Sequence, residues 1–389
     1  MRRLEGFEAA AREAVARRDL HGVVGMAANA DELLYEGAFG VANAETGAPL
    51  KTDAVFFIAS MTKAITSLAA MQMIERGKVG LEQEAASILP EMKTHQVLVG
   101  FDGQGRPQLR PPARPITMRH LLTHTSGHTT DIWNPDTIRF IQVMNVPPIP
   151  GCRNAALATP LVFDPGEKWE YGISTDWVGK IVEAVSGQRL EEYFRDNIFK
   201  PIGMTETSFI ISPEQRRKLV PVHGRDDRGG WKTLPFEVSQ EPEFYMGGAG
   251  LYGAVGDYTK FLQMLLNRGR AAGGRVLKPE TVDLMLANHI GALEWPGMKT
   301  AIPAMSADVD PLPGISKKWS LGFLRNETDV PGRRSAGSQF WAGLANSYFW
   351  FDPKKNLCGI TASGYFPFAD PPALRVFDAL ESDVYATFG

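Results

Sequence analysis

The chain has 389 residues, 44% hydrophobic and 22% charged, and its 41 Lys and Arg against 44 Asp and Glu leave a formal net charge of -3. This is the composition of a globular protein with a sizeable core, and both signs of charge are spread along it, which excludes a basic stripe for nucleic acid or an acidic tail. No run approaches the length of a membrane span, and Cys152 and Cys358 have neither disulfide-framework nor zinc-ligand spacing, so a cytoplasmic protein without cofactor or metal is expected.

The first element is an amphipathic helix with Leu4, Phe7, Ala11, Ala14 and Val15 on one face. Met1-Arg2-Arg3 has the charge of a signal-peptide start, but Glu5, Glu8, Arg12 and Glu13 interrupt the apolar core such a peptide needs. Two strand-like runs, 22–28 and 33–41, flank the turn Asn29-Ala30-Asp31-Glu32 and predict a hairpin.

After the apolar run 54–59 comes Ser60-Met61-Thr62-Lys63, opening a helix of Ala64, Ile65, Leu68, Ala69, Met71, Met73 and Ile74 that Gly77 ends. Residues three apart on a helix share a face, so the Lys63 amine reaches the Ser60 hydroxyl without help from a loop. A lysine in a helix too apolar to face solvent is placed to act as a base, because burial penalises its charged form. Ser60 is the only serine here with a lysine three residues on. The bland alternative is an N-cap serine followed by a surface lysine.

From about residue 78 to 235 the pattern is helical segments joined by Pro-rich loops such as Val146-Pro147-Pro148-Ile149-Pro150. Within it, Tyr171 follows the turn Asp164-Pro165-Gly166 and precedes a helix beginning near Asp176, where a phenol projects into a cleft. Further on, 339–344 reads as an edge strand bordering the same cleft. Its Ala342 and Gly343 let a substrate approach the backbone, and the N–H of Leu344 and of Ser60 face one oxygen. A second hairpin, 347–351 with 357–361, and a helix from about 373 to 386 close the chain.

The predicted fold is α/β of the α+β type: an antiparallel sheet flanked by helices, built from 1–77 and 236–389, with a mainly helical domain, 78–235, inserted and the active site in the cleft between them. Gly248 to Gly253 matches G-x-G-x-x-G, but no buried strand precedes it and no acidic residue ends a second strand about 20 positions on, so it reads as a Gly-rich loop beside the site. His120, His124 and His128 have metal-type helical spacing, but Gly127 ends the helix before the third joins. No G-x-S-x-G elbow is present.

Ser60-x-x-Lys63, Leu121-Leu122-Thr123-His124-Thr125-Ser126-Gly127, Pro165-Gly166 before Tyr171, 201–207, Gly247-Gly248-Ala249-Gly250-Leu251 and Trp341-Ala342-Gly343 occur in an order that resembles the serine β-lactamase and penicillin-binding-protein superfamily. The likeness covers about residues 5 to 388. It is nearest the class C branch, the family VIII carboxylesterases and the related acyltransferases. It implies a β-lactamase/transpeptidase-like fold and an acyl-enzyme on Ser60, with Lys63 and Tyr171 sharing the acid and base work and the N–H groups of Ser60 and Leu344 as oxyanion hole.

Two departures choose among substrates. The class C Tyr-x-Asn is here Tyr171-Gly172-Ile173, and Lys-Thr-Gly is Trp341-Ala342-Gly343, so an amide and a cation that hold a β-lactam are replaced by apolar side chains. With Gly248, these residues form the expected binding surface for an uncharged small-molecule ester. The expected function is a serine carboxylesterase. Acyl transfer through the same intermediate, β-lactam or D-amino-peptide cleavage, and an inactive binding module are the alternatives.

Overall fold

A computed structural model describes residues 2–389. Helix α1 (Glu5–Ala16) lays its apolar stripe on the sheet, and strands β1 (Gly22–Ala28), β2 (Leu33–Asn43) and β3 (Ala48–Pro49) follow. Strand β4 (Val55–Phe57) leads to the buried helix α2 (Thr62–Glu75). The inserted segment holds the hairpin β5 (Val97–Phe101) and β6 (Pro107–Arg110), helices α3 (Met118–Leu122), α4 (Pro135–Met144), α5 (Ser174–Ser186), α6 (Leu190–Phe194), α7 (Lys200–Ile202) and α8 (Pro213–Lys218), and a second hairpin, β7 (His223–Arg225) with β8 (Trp231–Thr233). Strand β9 (Tyr252–Ala254) and helix α9 (Val255–Leu266) come next, then the short pair β10 (Arg270–Ala271) and β11 (Gly274–Arg275), and helix α10 (Pro279–Leu286). The chain ends with β12 (Lys317–Trp319), β13 (Leu324–Asn326), β14 (Gln339–Gly343), β15 (Ser347–Asp352), β16 (Leu357–Ala362) and α11 (Pro371–Phe388).

Eight strands from the two ends of the chain form one antiparallel sheet in the order β12-β13-β14-β15-β16-β1-β2-β3. Both predicted hairpins are present, and β1 joins them by pairing Val24 with Ala362. Every residue of β15 and β16 is buried because helices cover both faces. Tyr348 and Trp350 point to Phe377 on α11, whereas Phe349 between them points to Tyr258 on α9, which is the period-two alternation of a strand. Each such aromatic contributes on the order of 1.5–3 kcal/mol of apolar burial.

Helix α2 is buried around its whole circumference from Thr62 to Met73, as its sequence predicts, and it packs against α5 of the inserted segment. That segment contains two hairpins as well as helices. Its end returns to the sheet side, where Leu219 bridges to Val55, and His223 bridges to Tyr365 and stacks on His21 with ring centroids 3.8 Å apart.

Candidate active site

Ser60 sits in a single 3-10 turn, Ala59–Met61, wedged between β4 and α2. Ala59 is held at φ 46°, a left-handed conformation that costs a residue with a Cβ about 1–3 kcal/mol and persists only where its surroundings enforce it. Those surroundings are visible. The Thr62 hydroxyl donates to the Ala59 carbonyl at 2.6 Å and accepts from the Leu251 N–H at 3.1 Å, Ile58 N–H donates to Leu251 O at 3.1 Å, and the Tyr258 hydroxyl donates to Met61 O at 3.1 Å. The Gly-rich loop and β9, which pairs with β4, thus clamp the serine turn from one side.

Lys63, one helical turn on, is only 5% exposed. Its Nζ donates to the Gly248 carbonyl at 2.7 Å, lies 3.4 Å from Ser60 Oγ and stands 4.5 Å from the centre of the Tyr171 ring. Gly248 also donates its N–H to Asp176 Oδ1 at 2.9 Å, so one peptide connects lysine and carboxylate. Complete burial pushes the Asp176 carboxyl up to about 6, against the pull of the Lys63 ammonium and the Gly248 N–H. Burial, reinforced by the charge of Lys63, lowers the His124 imidazole well below its usual range and leaves it a neutral ring against Tyr171, with centroids 4.7 Å apart.

Tyr171 enters from the inserted segment. Gly172 beside it lies so close to Thr129 that a Cβ there would be 2.3 Å from the Thr129 Cα, so the phenol is fixed by close backbone packing as well as by its own ring. The Trp341 indole N–H donates to the Tyr171 oxygen at 3.1 Å. Trp169, Trp319 and Trp341 surround the phenol, and Trp319 is itself anchored by its N–H to Leu122 O at 3.2 Å.

Trp341 lies on β14, and this strand departs from the expected edge position. It is interior in the sheet, between β13 and β15. However, β13 pairs only with Gln339 and Phe340, so the Trp341–Gly343 end outruns its neighbour and borders the cleft. Gly343 packs against the residue before the serine turn: a Cβ there would be 2.3 Å from Ile58 O. Among the described residues, neither the Ser60 N–H nor the Leu344 N–H has a hydrogen-bond acceptor.

These residues converge on a cavity of about 280 Å³ lined by Ser60, Lys63, Tyr171, Ile173, Asp176, Trp341, Ala342 and Leu344. Gly248 and Gly343 lie behind the lining, the first holding Lys63 and the second seating β14. The remaining wall is largely apolar, and Lys63 is the one cation among the lining residues. Sequence reading did not single out Asp176 or assign His124 to the site. No local spacing marks Asp176, because the Gly248 N–H it accepts from lies 72 residues away in the sequence.

The other motifs resolve in space. Helix α3 stops at Leu122, and His124 is left-handed at φ 57°. His120 caps α3 and His128 pairs with Ser126 at 2.9 Å, so the three imidazoles share no face. No group of three His, Cys, Asp or Glu suited to a metal occurs among the described residues. The strand beside the Gly-rich loop, β9, follows it instead of preceding it, and the loop carbonyls of Gly247 and Gly248 accept from Thr66 and Lys63.

A sheet flanked by helices, with a serine in the turn that leads into a buried helix and a lysine in that helix's first turn, is the architecture of the β-lactamase fold. The family described as Beta-lactamase matches residues 7–380, and the chain belongs to it: it is an enzyme of that family. It is 32% identical to monacolin J acid methylbutanoyltransferase of Aspergillus terreus, over 98% of this chain and 95% of that one. It is also 32% identical to lovastatin esterase of Penicillium rubens, over 81% of this chain and 80% of that one. Unliganded simvastatin synthase from Aspergillus terreus superposes with a TM-score of 0.82 at 30% identity, covering 99% of this chain and 98% of that one. No helix is long and apolar enough to cross a membrane among the described residues.

Proposed function

We propose that the chain is a serine carboxylesterase working through a covalent acyl-enzyme, in a cleft between a sheet lobe (1–77 and 236–389) and an inserted lobe (78–235). The observation that carries this is the position of the Lys63 amine, 3.4 Å from Ser60 Oγ and 4.5 Å from the Tyr171 ring centre, within one largely apolar cavity. Ser60 Oγ attacks the ester carbonyl while Lys63 and Tyr171 take its proton. The N–H groups of Ser60 and Leu344 hold the oxyanion. The leaving alcohol departs with a proton from Tyr171 or Lys63, and water then releases the acid.

An uncharged ester suits the cavity better than a β-lactam carboxylate. Ile173 and Trp341 supply apolar surface, and the Trp341 N–H already serves Tyr171. Acyl transfer is the second reading. It needs only an alcohol in place of water, and the relatives include an esterase and acyltransferases. Intact-protein mass spectrometry with p-nitrophenyl butyrate tests the proposal. A butyryl adduct with turnover in wild type, both absent in Ser60→Ala, is expected. Turnover retained by purified, folded Ser60→Ala would refute it.

A further inference from the structure

A second and larger cavity, about 720 Å³, lies on the far side of the cleft-bordering end of β14. Met298, Trp341, Ala342 and Phe368 line both this cavity and the Ser60 cavity, so at those positions the wall between the two is one residue thick. A methyl group and a flexible thioether form part of that wall, and neither is a rigid barrier.

The charges around the second cavity are spent on one another. Lys299 pairs with Asp308 at 2.8 Å and Lys317 with Asp310 at 3.2 Å, Arg334 pairs with Glu381, and Asp378 pairs with Arg333 at 2.9 Å. Val309, Leu312, Tyr348, Leu374 and Phe377 leave the rest of the lining mainly apolar. Such a chamber selects an uncharged, bulky apolar group.

The hydrogen bond between Tyr171 and Trp341 decides which end of the substrate lies on this side. In the proposed reaction the leaving oxygen takes its proton from Tyr171 or from Lys63, whose Nζ stands 4.5 Å from the phenol ring centre, so the alcohol portion of the ester lies beside Tyr171. The indole bonded to that phenol is part of the shared wall. Resting on the esterase reading above, we infer that the second cavity is the alcohol subsite. It receives the apolar body of the alcohol as leaving group in hydrolysis and as acceptor in acyl transfer, and Met298 and Ala342 form its threshold. In the transfer direction the alcohol O–H bond breaks as its oxygen bonds the acyl carbon, the Ser60 ester bond breaks, and the alcohol proton returns through Tyr171 or Lys63 to Ser60.

The test compares ethyl butyrate, octyl butyrate and ethyl octanoate on wild type, Leu374→Trp and Leu312→Trp. Each substitution fills the second cavity from a different element, and Leu312 sits partly exposed on a loop, where an indole does not threaten the core. A fall of at least tenfold in kcat/KM for octyl butyrate is expected in both variants, with the two ethyl esters within twofold of wild type. A loss confined to ethyl octanoate would give the cavity to the acyl chain and overturn the assignment, as would equal losses on all three esters or no loss at all. Wild type that neither turns over an ester nor forms an adduct would sink the esterase reading, and calorimetric titration of 1-octanol into Ser60→Ala then decides the cavity alone. Binding removed by adding Leu374→Trp supports the subsite, and binding that is absent or unaffected refutes it.

Discussion

The indole N–H of Trp341 donates to the phenol oxygen of Tyr171 at 3.1 Å, joining a sheet strand to the inserted segment in the buried wall of the serine cavity. The bond fixes where the phenol oxygen stands and occupies one of its lone pairs. Trp341→Phe keeps an aromatic ring in the Trp319 cluster but removes the donor. A hydrogen bond of this kind is worth about 1–1.5 kcal/mol, so kcat is expected to fall about tenfold with KM little changed. Steady-state kinetics on a short-chain ester check it, and an unchanged kcat would reduce the bond to packing.

Tyr171→Phe removes the hydroxyl itself while keeping the ring against Lys63 and His124. For a group sharing the proton work, kcat is expected to fall by roughly 10²-fold or more. If single-turnover acylation of this variant ran at the wild-type rate, Tyr171 would have no part in forming the acyl-enzyme.

Asp176 is a buried carboxyl raised from its ordinary 3.8 to about 6. A raised carboxyl favours folding in its neutral form: that contribution is complete below about pH 3.8 and is lost as pH rises through 6. At pH 8 the buried carboxylate therefore costs the fold on the order of 3 kcal/mol, and Asp176→Asn removes the cost while keeping an acceptor for the Gly248 N–H. The variant is expected to gain thermal stability over wild type at pH 8 and not at pH 4. Tm measured at both pH values reads this, and an equal difference at the two would mean that the carboxyl does not titrate in that window.

The stacked pair His21 and His223 behaves in the opposite sense. Burial lowers His21 from 6.5 to about 4, helped by the neighbouring His223 charge. A depressed imidazole favours folding in its neutral form, so the contribution is full above about pH 6.5 and is lost as pH falls toward 4. His21→Phe keeps a ring in the stack, and its urea midpoint is expected to decline less than that of wild type between pH 7 and pH 4.5. Parallel declines would exclude the pair as a source of acid sensitivity.

Gly343 seats β14 against the serine turn, with no room for a Cβ beside Ile58 O. Gly343→Ala is expected to cost about 1–3 kcal/mol of stability by overpacking and to lower kcat by shifting Leu344 relative to Ser60. Denaturant unfolding together with ester kinetics check both effects, and wild-type values in each would show that the strand yields without consequence.

Local spacing determined much of this protein. The Ser60–Lys63 offset brings the two groups close over a few residues, Ser60 in the 3-10 turn before α2 and Lys63 in the first turn of α2, although contacts from Leu251 and Tyr258 hold that serine turn in place. The apolarity of residues 64–74 foretold a buried helix, and the turns at 29–32 and 352–356 foretold both hairpins, since turn chemistry acts over a few residues. The ordered motifs pointed to the β-lactamase family before any contact was known. Contacts between distant segments were decided only by the tertiary structure. These include the position of β14 inside the sheet with a free end at the cleft, the indole of Trp341 bonded to Tyr171, the Gly248 peptide between Lys63 and Asp176, and the second cavity behind Ala342. A strand's neighbours and a buried group's partners depend on how remote parts of the chain pack, and no local pattern encodes which donor will meet which acceptor.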